Sequence, residues 1–280
     1  MRRSQTVVDL AGGDPAKGAG FGVGSPLAVG LAFRGVARWW LGRPGSRQDL
    51  HDAVAMARHS DPATFALVVT WTYGAEIAYG VRRADDAALR AIEEAVQTAQ
   101  RASSNFALMF AEYTLGIALL YRDAAADRQR GLEIMVQALD ILRERIPSLV
   151  PVFELWTARE GGRRGDRDAA IAVMRQAVDE MHQDGRLGYG VLGTGVLVET
   201  LLARGADGDL AEAQQAIDRL ANLLAEQDSA MSQLTLLRSR ALLARARGDD
   251  VAYLDLASRY RAIAESLGFE GHIAWAETMT

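Results

Sequence analysis

The chain has 280 residues, 49% of them hydrophobic and 24% charged, a balance that excludes disorder over most of its length. Its 31 basic and 36 acidic residues give a net charge of −5. That lacks the basic surplus of a nucleic-acid binder, so no nucleic-acid partner is expected. There is no cysteine, which removes disulfides, zinc–thiolate sites and a thiol nucleophile.

The start, Met1-Arg2-Arg3-Ser4-Gln5, carries two arginines but fails as an export signal. Asp9 interrupts the following stretch, and glycines replace the apolar region of about 7–15 residues that such a signal needs. No run of about 18 apolar residues occurs, so no membrane partner is expected and the location expected is cytoplasmic. Lys17 is the one lysine. Almost all positive charge therefore sits on planar guanidinium forks.

Residues 1–25 hold Gly12, Gly13, Gly18, Gly20, Gly22 and Gly24 and little apolar periodicity. They read as a flexible leader. From Ser25-Pro26 the pattern turns helical, with serine as N-cap and proline in the first turn. The helices come in pairs. First members are predicted at 26–42, 62–80, 104–122, 148–164, 188–204 and 230–247. Second members are predicted at 46–59, 85–102, 127–144, 167–183, 209–226 and 249–266, and a short last helix at 270–278. Gly42-Arg43-Pro44-Gly45, Ser60-Asp61-Pro62, Gly165-Asp166, Gly205-Ala206-Asp207-Gly208-Asp209 and Gly248-Asp249-Asp250 punctuate the joints. Glycine suits the left-handed helix end and aspartate the next N-cap. No β-branched alternation marks a strand.

Asp86, Asp127, Asp166, Asp209 and Asp249 open successive second helices, separated by 41, 39, 43 and 40 residues. Two antiparallel helices repeating at this interval signal an α-solenoid. The period exceeds the tetratricopeptide length of about 34 residues. The predicted fold is therefore all-α: a tetratricopeptide-like solenoid of about six helix pairs over 26–280. Small residues in first helices, such as Gly35, Gly74 and Gly116, mark close approach of neighbouring backbones. Apolar stripes such as Ala88, Ile92, Ala95, Val96 and Ala99 mark the buried faces of second helices.

The motifs that carry chemistry fail on inspection. Lys17 lies between Ala16 and Gly18, not in Gly-Lys-Ser/Thr after a strand. Gly18 to Gly24 lacks the parallel sheet of a dinucleotide site. His51, His59, His182 and His272 are scattered, without the spacing of metal ligands. No Gly-x-Ser-x-Gly elbow occurs. No catalytic residue, cofactor or metal is expected.

Two features invite a surface role. Trp39-Trp40 places one ring in the core and turns the other about 100° away, so one of them is an interface-anchor candidate. First helices also carry polar groups in apolar surroundings: Arg34, Arg38, Tyr73, Glu76, Glu112, Tyr113, Glu154, Arg159 and Glu199. Arg34, Arg38, Tyr73, Glu76, Glu112, Tyr113, Arg159 and Glu199 are candidates for a partner groove, since first helices line the concave side of such arrays. The same groups are candidates for internal ion pairs, because buried charges are normally partnered.

Several segments resemble a known family. They are Arg34-Gly35-Val36-Ala37-Arg38-Trp39-Trp40-Leu41-Gly42-Arg43-Pro44-Gly45 with Asp49 to Ala57, Arg83 to Leu89, Gly195 to Leu202, and Ser266 to Glu277. Together they resemble the C-terminal region of large actinobacterial signalling proteins. Those carry a class III adenylate cyclase domain, an AAA-type ATPase module and a tetratricopeptide-like tail. This chain has neither the cyclase nor the ATPase core, so none of the family's catalytic or nucleotide-binding residues transfers. The resemblance implies a regulatory or scaffolding role, with cyclase or ATPase modules among the partners.

The leading expectation is a non-enzymatic module that binds a protein or peptide. One alternative is a small-molecule sensor with a pocket lined by Trp71, Tyr73, Tyr113, Trp156 and Tyr189. The other is self-association into a homo-oligomer through Trp39 and Trp40 or the Phe269 to Trp275 segment.

Overall fold

The computed structural model describes residues 1–20 and 23–279. Phe21 and Gly22 of the expected leader, and Thr280 at the end of the expected repeat domain, lie outside the described residues. Among the described residues all regular structure is helical and no strand occurs. The chain is an all-α, tetratricopeptide-like helical repeat.

The first helices are α2 (Pro26–Trp40), α4 (Pro62–Val69) continued through a π turn (Thr70–Gly74) into α5 (Ala75–Ala78), α7 (Asn105–Leu120), α9 (Val150–Arg163), α11 (Leu187–Arg204) and α13 (Ala230–Ala246). Their partners are α3 (Ser46–Ala57), α6 (Asp86–Arg101), α8 (Ala125–Arg145), α10 (Arg167–Gln183), α12 (Asp209–Leu223) and α14 (Asp250–Leu267), followed by α15 (Glu270–Glu277). The predicted ends lie within a few residues of these.

The capping chemistry explains that agreement. Ser25, Asp61, Ser104 and Ser229 accept hydrogen bonds from backbone N–H groups in the first turns of α2, α4, α7 and α13. Asp85, Asp166 and Asp249 do the same for α6, α10 and α14. Of the periodic aspartates, Asp166 and Asp249 are caps, while at α6 the cap is Asp85, one residue before the Asp86 of the series. Asp127 and Asp209 do not cap; each holds an arginine at the end of the preceding first helix. Arg122 reaches Asp127 at 2.6 Å and Asp86 at 3.0 Å. Arg204 reaches Asp209 at 2.5 Å and Asp168 at 2.6 Å. Each arginine ties the start of its own second helix to the start of the previous one.

The segment expected as a leader opens with a helix, α1 (Arg2–Ala11). It lies on α2, where Gly30 leaves room: a Cβ there would stand 2.9 Å from Val7 Cγ1. Gln5 also receives a hydrogen bond from Arg34 at 3.2 Å. The dense glycines after residue 11 masked a short stripe of Val7, Val8 and Ala11.

The chain divides into two compact units, Met1–Ile134 and Met135–Thr280. In the first, α4 packs on α2, α3, α6 and α7, around Trp39, Leu50, Ile77, Ile92 and Ile117. Gly35 permits the contact of α2 with α3, since a Cβ there would lie 2.6 Å from Leu50 Cγ. In the second, α11 packs on α9, α10, α12 and α13, around Trp156, Ile171, Met174, Ile217 and Leu234.

Candidate binding surface

In each unit the second helices cover one side of the first helices, and the opposite side stays open. In the first unit this open side is aromatic. On α2, Phe33 and Trp40 stand opposite Gly35, the residue that meets α3. Phe33 is 38% exposed and its ring centroid lies 4.9 Å from that of Trp71, on the π turn. Trp40 meets Tyr79 edge-on at 5.4 Å. On α7, Phe106, Met109, Phe110 and Tyr113 follow one another at helical spacing. Phe106 is 52% exposed and meets Phe110 at a tilt, with ring centroids 4.9 Å apart.

The π turn gives this side its shape. It places Trp71 against Phe33 and is fixed from behind by two hydroxyls. Thr114 of α7 donates to Thr70 at 2.8 Å, and Thr70 donates to the Ala66 carbonyl at 2.9 Å. Inserted π turns recur at functional positions because they shift the helix phase.

Glu112 stands at the margin of this surface, half-buried, one residue before Tyr113. Among the described residues it makes no ion pair, and burial holds its carboxyl above the usual carboxylate range. A cation brought beside it would relieve that cost.

The open side of the second unit is chemically different. α9 presents Glu154, Thr157 and Gly161; α11 presents Gly188, Leu192, Gly195 and Glu199. A Cβ on Gly195 would touch Thr235 of α13 at 3.4 Å. Glu199 forms an ion pair with Arg238 of α13, and the Arg238 guanidinium also lies over the Trp275 ring at 4.9 Å.

The residues proposed from sequence go to several places. Arg34 and Arg38 both bind Asp49 of α3, at 2.7 and 2.6 Å, on the side away from the open surface. Glu76 is buried and pairs with Arg82 at 2.7 Å. Tyr73 lies under the same Arg82 guanidinium at 5.4 Å, and burial raises its phenol pKa. Arg159 lies over Trp156 at 5.5 Å, away from the Glu154 stripe. Trp39 is 1% exposed, packed against Trp40 and Tyr79, so Trp40 is the outward ring of the pair. Trp40, Tyr113 and Glu199 reach the open sides, and Glu112 their margin. Sequence reasoning placed no weight on Phe33, Phe106 or Phe110. α7 is apolar nearly all round, and that is the available signal of a face reserved for something other than the core.

Among the described residues, no cluster of three or more histidines and acids is placed to hold a metal ion. No helix there is long and apolar enough to cross a membrane.

No family model matches this chain, and no curated protein matches it. Among solved structures it is similar to a Rap protein complexed with competence and sporulation factor. The TM-score is 0.60 and the identity 14%, over 90% of this chain and 73% of that one. At that identity the likeness establishes the fold alone. The fold and the open aromatic side together define the class: a helical-repeat protein with a preformed apolar face.

Proposed function

We propose that this chain is a non-enzymatic, cytoplasmic regulatory module that binds a protein or peptide segment on the aromatic side of its first unit. One observation carries the reading. Phe33 with Trp71 and Phe106 with Phe110 form two tilted ring pairs, partly open, on helices that pack together through the π turn and α7. Contiguous exposed aromatic surface is the usual mark of an interaction site. Glu112 biases the choice toward a segment that carries a lysine or arginine among apolar residues. The likeness to a Rap protein solved with competence and sporulation factor supports the fold's use as a binding scaffold. The regulatory role rests on the resemblance to the tails of cyclase and ATPase signalling proteins.

Selection from a random peptide library tests the reading. The expected winners are apolar and basic, with Kd below about 100 µM. The double variant F106S/F110S is expected to weaken them about tenfold, with an unchanged helical circular-dichroism spectrum. An unenriched library, or unchanged affinity in the double variant, refutes it. The regulatory reading has its own test. The chain added to a class III cyclase or AAA-type module is expected to bind it and change its turnover; no binding removes that part.

A further inference from the structure

The second unit contains a cleft on the other side of its first helices, with a volume of about 520 Å³. α10 and α12 form its walls and α11 its floor. Arg175, Asp179 and His182 follow one another along α10, and Glu212 and Arg219 face them from α12. Ala211 and Ala216 keep the second wall low.

The rim is a closed set of charges. Arg175 grips Glu212 with two hydrogen bonds of 2.5 and 2.6 Å. Arg219 pairs with Asp179 in the opposite sense. Each wall thus carries one cation and one anion. Arg175, Asp179 and Arg219 are well exposed and Glu212 is half-buried, and ion pairs so open to water hold weakly.

The floor is a different matter. His182 is 8% exposed and Thr194 is 1% exposed. The one contact between them is 3.5 Å, from Nε2 to Oγ1, the Gly190 backbone lies beside the ring, and among the described residues His182 Nδ1 has no hydrogen-bond partner. Buried polar groups normally find better partners than this. A polar ligand reaching to the floor supplies them.

The charge pattern selects among ligands. A simple anion that took an arginine would leave Asp179 or Glu212 unpaired. A simple cation that took a carboxylate would leave a guanidinium unpaired. A molecule bearing both signs exchanges one weak rim pair for two new ones and leaves nothing uncompensated. We propose that this cleft binds a small zwitterion with an ammonium and a carboxylate, a free amino acid or a dipeptide. Its carboxylate lies on a rim arginine, its ammonium on the acid so released, and its polar side chain on His182 and Thr194. Burial, with Arg219 nearby, holds the His182 pKa below its ordinary value. The floor therefore offers a neutral imidazole at neutral pH.

The test uses the full chain, with thermal shift and calorimetry against the common amino acids and a set of dipeptides at about 10 mM. Acetate, methylammonium and an N-acetylated amino-acid amide serve as controls. At least one zwitterion is expected to raise Tm while the controls do not; the amino-acid and dipeptide arms identify which kind. E212Q, at the partly exposed rim, and T194V are each expected to weaken binding about tenfold, and the ligand is expected to shift the His182 imidazole NMR signals. F106S/F110S should leave this affinity unchanged, which separates failure here from failure of the aromatic site. Absence of binding by every zwitterion overturns the proposal. Equal binding of acetate or methylammonium, or unchanged affinity in both E212Q and T194V, also overturns it.

Discussion

The two units are built from the same hairpin yet present opposite surfaces. In the first, the open side of the first helices is aromatic, is shaped by a π turn, and has at its margin Glu112, which makes no ion pair among the described residues. In the second, the matching side is made of glycine, threonine and a closed Glu199–Arg238 pair, and the weak His182–Thr194 contact lies beneath the second helices. The helical frame needs only the stripes that face inward. The outward stripes are free to differ, so function follows the chemistry of a face and not the fold.

The sharpest test of that division compares rings a few residues apart in role. Trp39 is 1% exposed. Trp39→Ala should cost about 3–5 kcal/mol, the range for truncating a buried aromatic, read as a fall in the urea midpoint. Phe106→Ser, on the open side, should change stability by no more than about 0.5 kcal/mol while weakening peptide binding. A large stability loss in Phe106→Ser would place that ring in the core and end the comparison.

Glycine gives a smaller contrast of opposite sign. Gly35→Ala puts a methyl 2.6 Å from Leu50 Cγ and 3.2 Å from the Ser46 carbonyl. A loss of about 1–3 kcal/mol is expected from overpacking. Gly161 in the second unit has nothing within 4 Å of the added atom. Gly161→Ala should therefore stabilise by about 0.5–1 kcal/mol through helix propensity. Paired denaturant melts of the two variants check both signs.

Most of the frame was legible from sequence because its joints are written in residues with strict backbone roles. Gly205, at φ 66 after α11, and Asp166 and Asp249 at N-caps each fix a boundary locally. What was missed depends on tertiary context. α1 is too short to outweigh the glycines that follow it. The π turn at Thr70–Gly74 has no local pattern distinct from an α-helix. On α7, the inward Ala107, Ala111 and Leu115 and the outward Phe106, Met109 and Phe110 are alike in hydrophobicity, so periodicity cannot separate them. The charge pairs left a signal that periodicity offers but pattern reading passed over. Asp86–Arg122, Asp168–Arg204, Arg175–Glu212, Asp179–Arg219 and Glu199–Arg238 all join opposite charges roughly one repeat apart.

The smallest expected effect is the pH dependence of the second unit. His182 packs against Gly190 and Thr194 of α11, with Asp179 on its own helix and Arg219 on α12. Burial first, and Arg219 second, lower its pKa from 6.5, against weaker opposing effects of Gly190 and Asp179. Below that value the unfolded chain binds a proton that the folded chain resists. The proton count then favours unfolding, and stability falls as pH drops. The slope for one such group is at most about 1.4 kcal/mol per pH unit. It begins near the ordinary value and ends once the folded pKa is passed. His51 and His59 of the first unit are exposed and provide no comparable burial. Urea melts of wild type and His182→Asn from pH 7.5 to 5 should therefore converge in stability as the pH falls. Parallel curves would show that His182 titrates alike in both states and that the floor of the cleft is wetter than its packing implies.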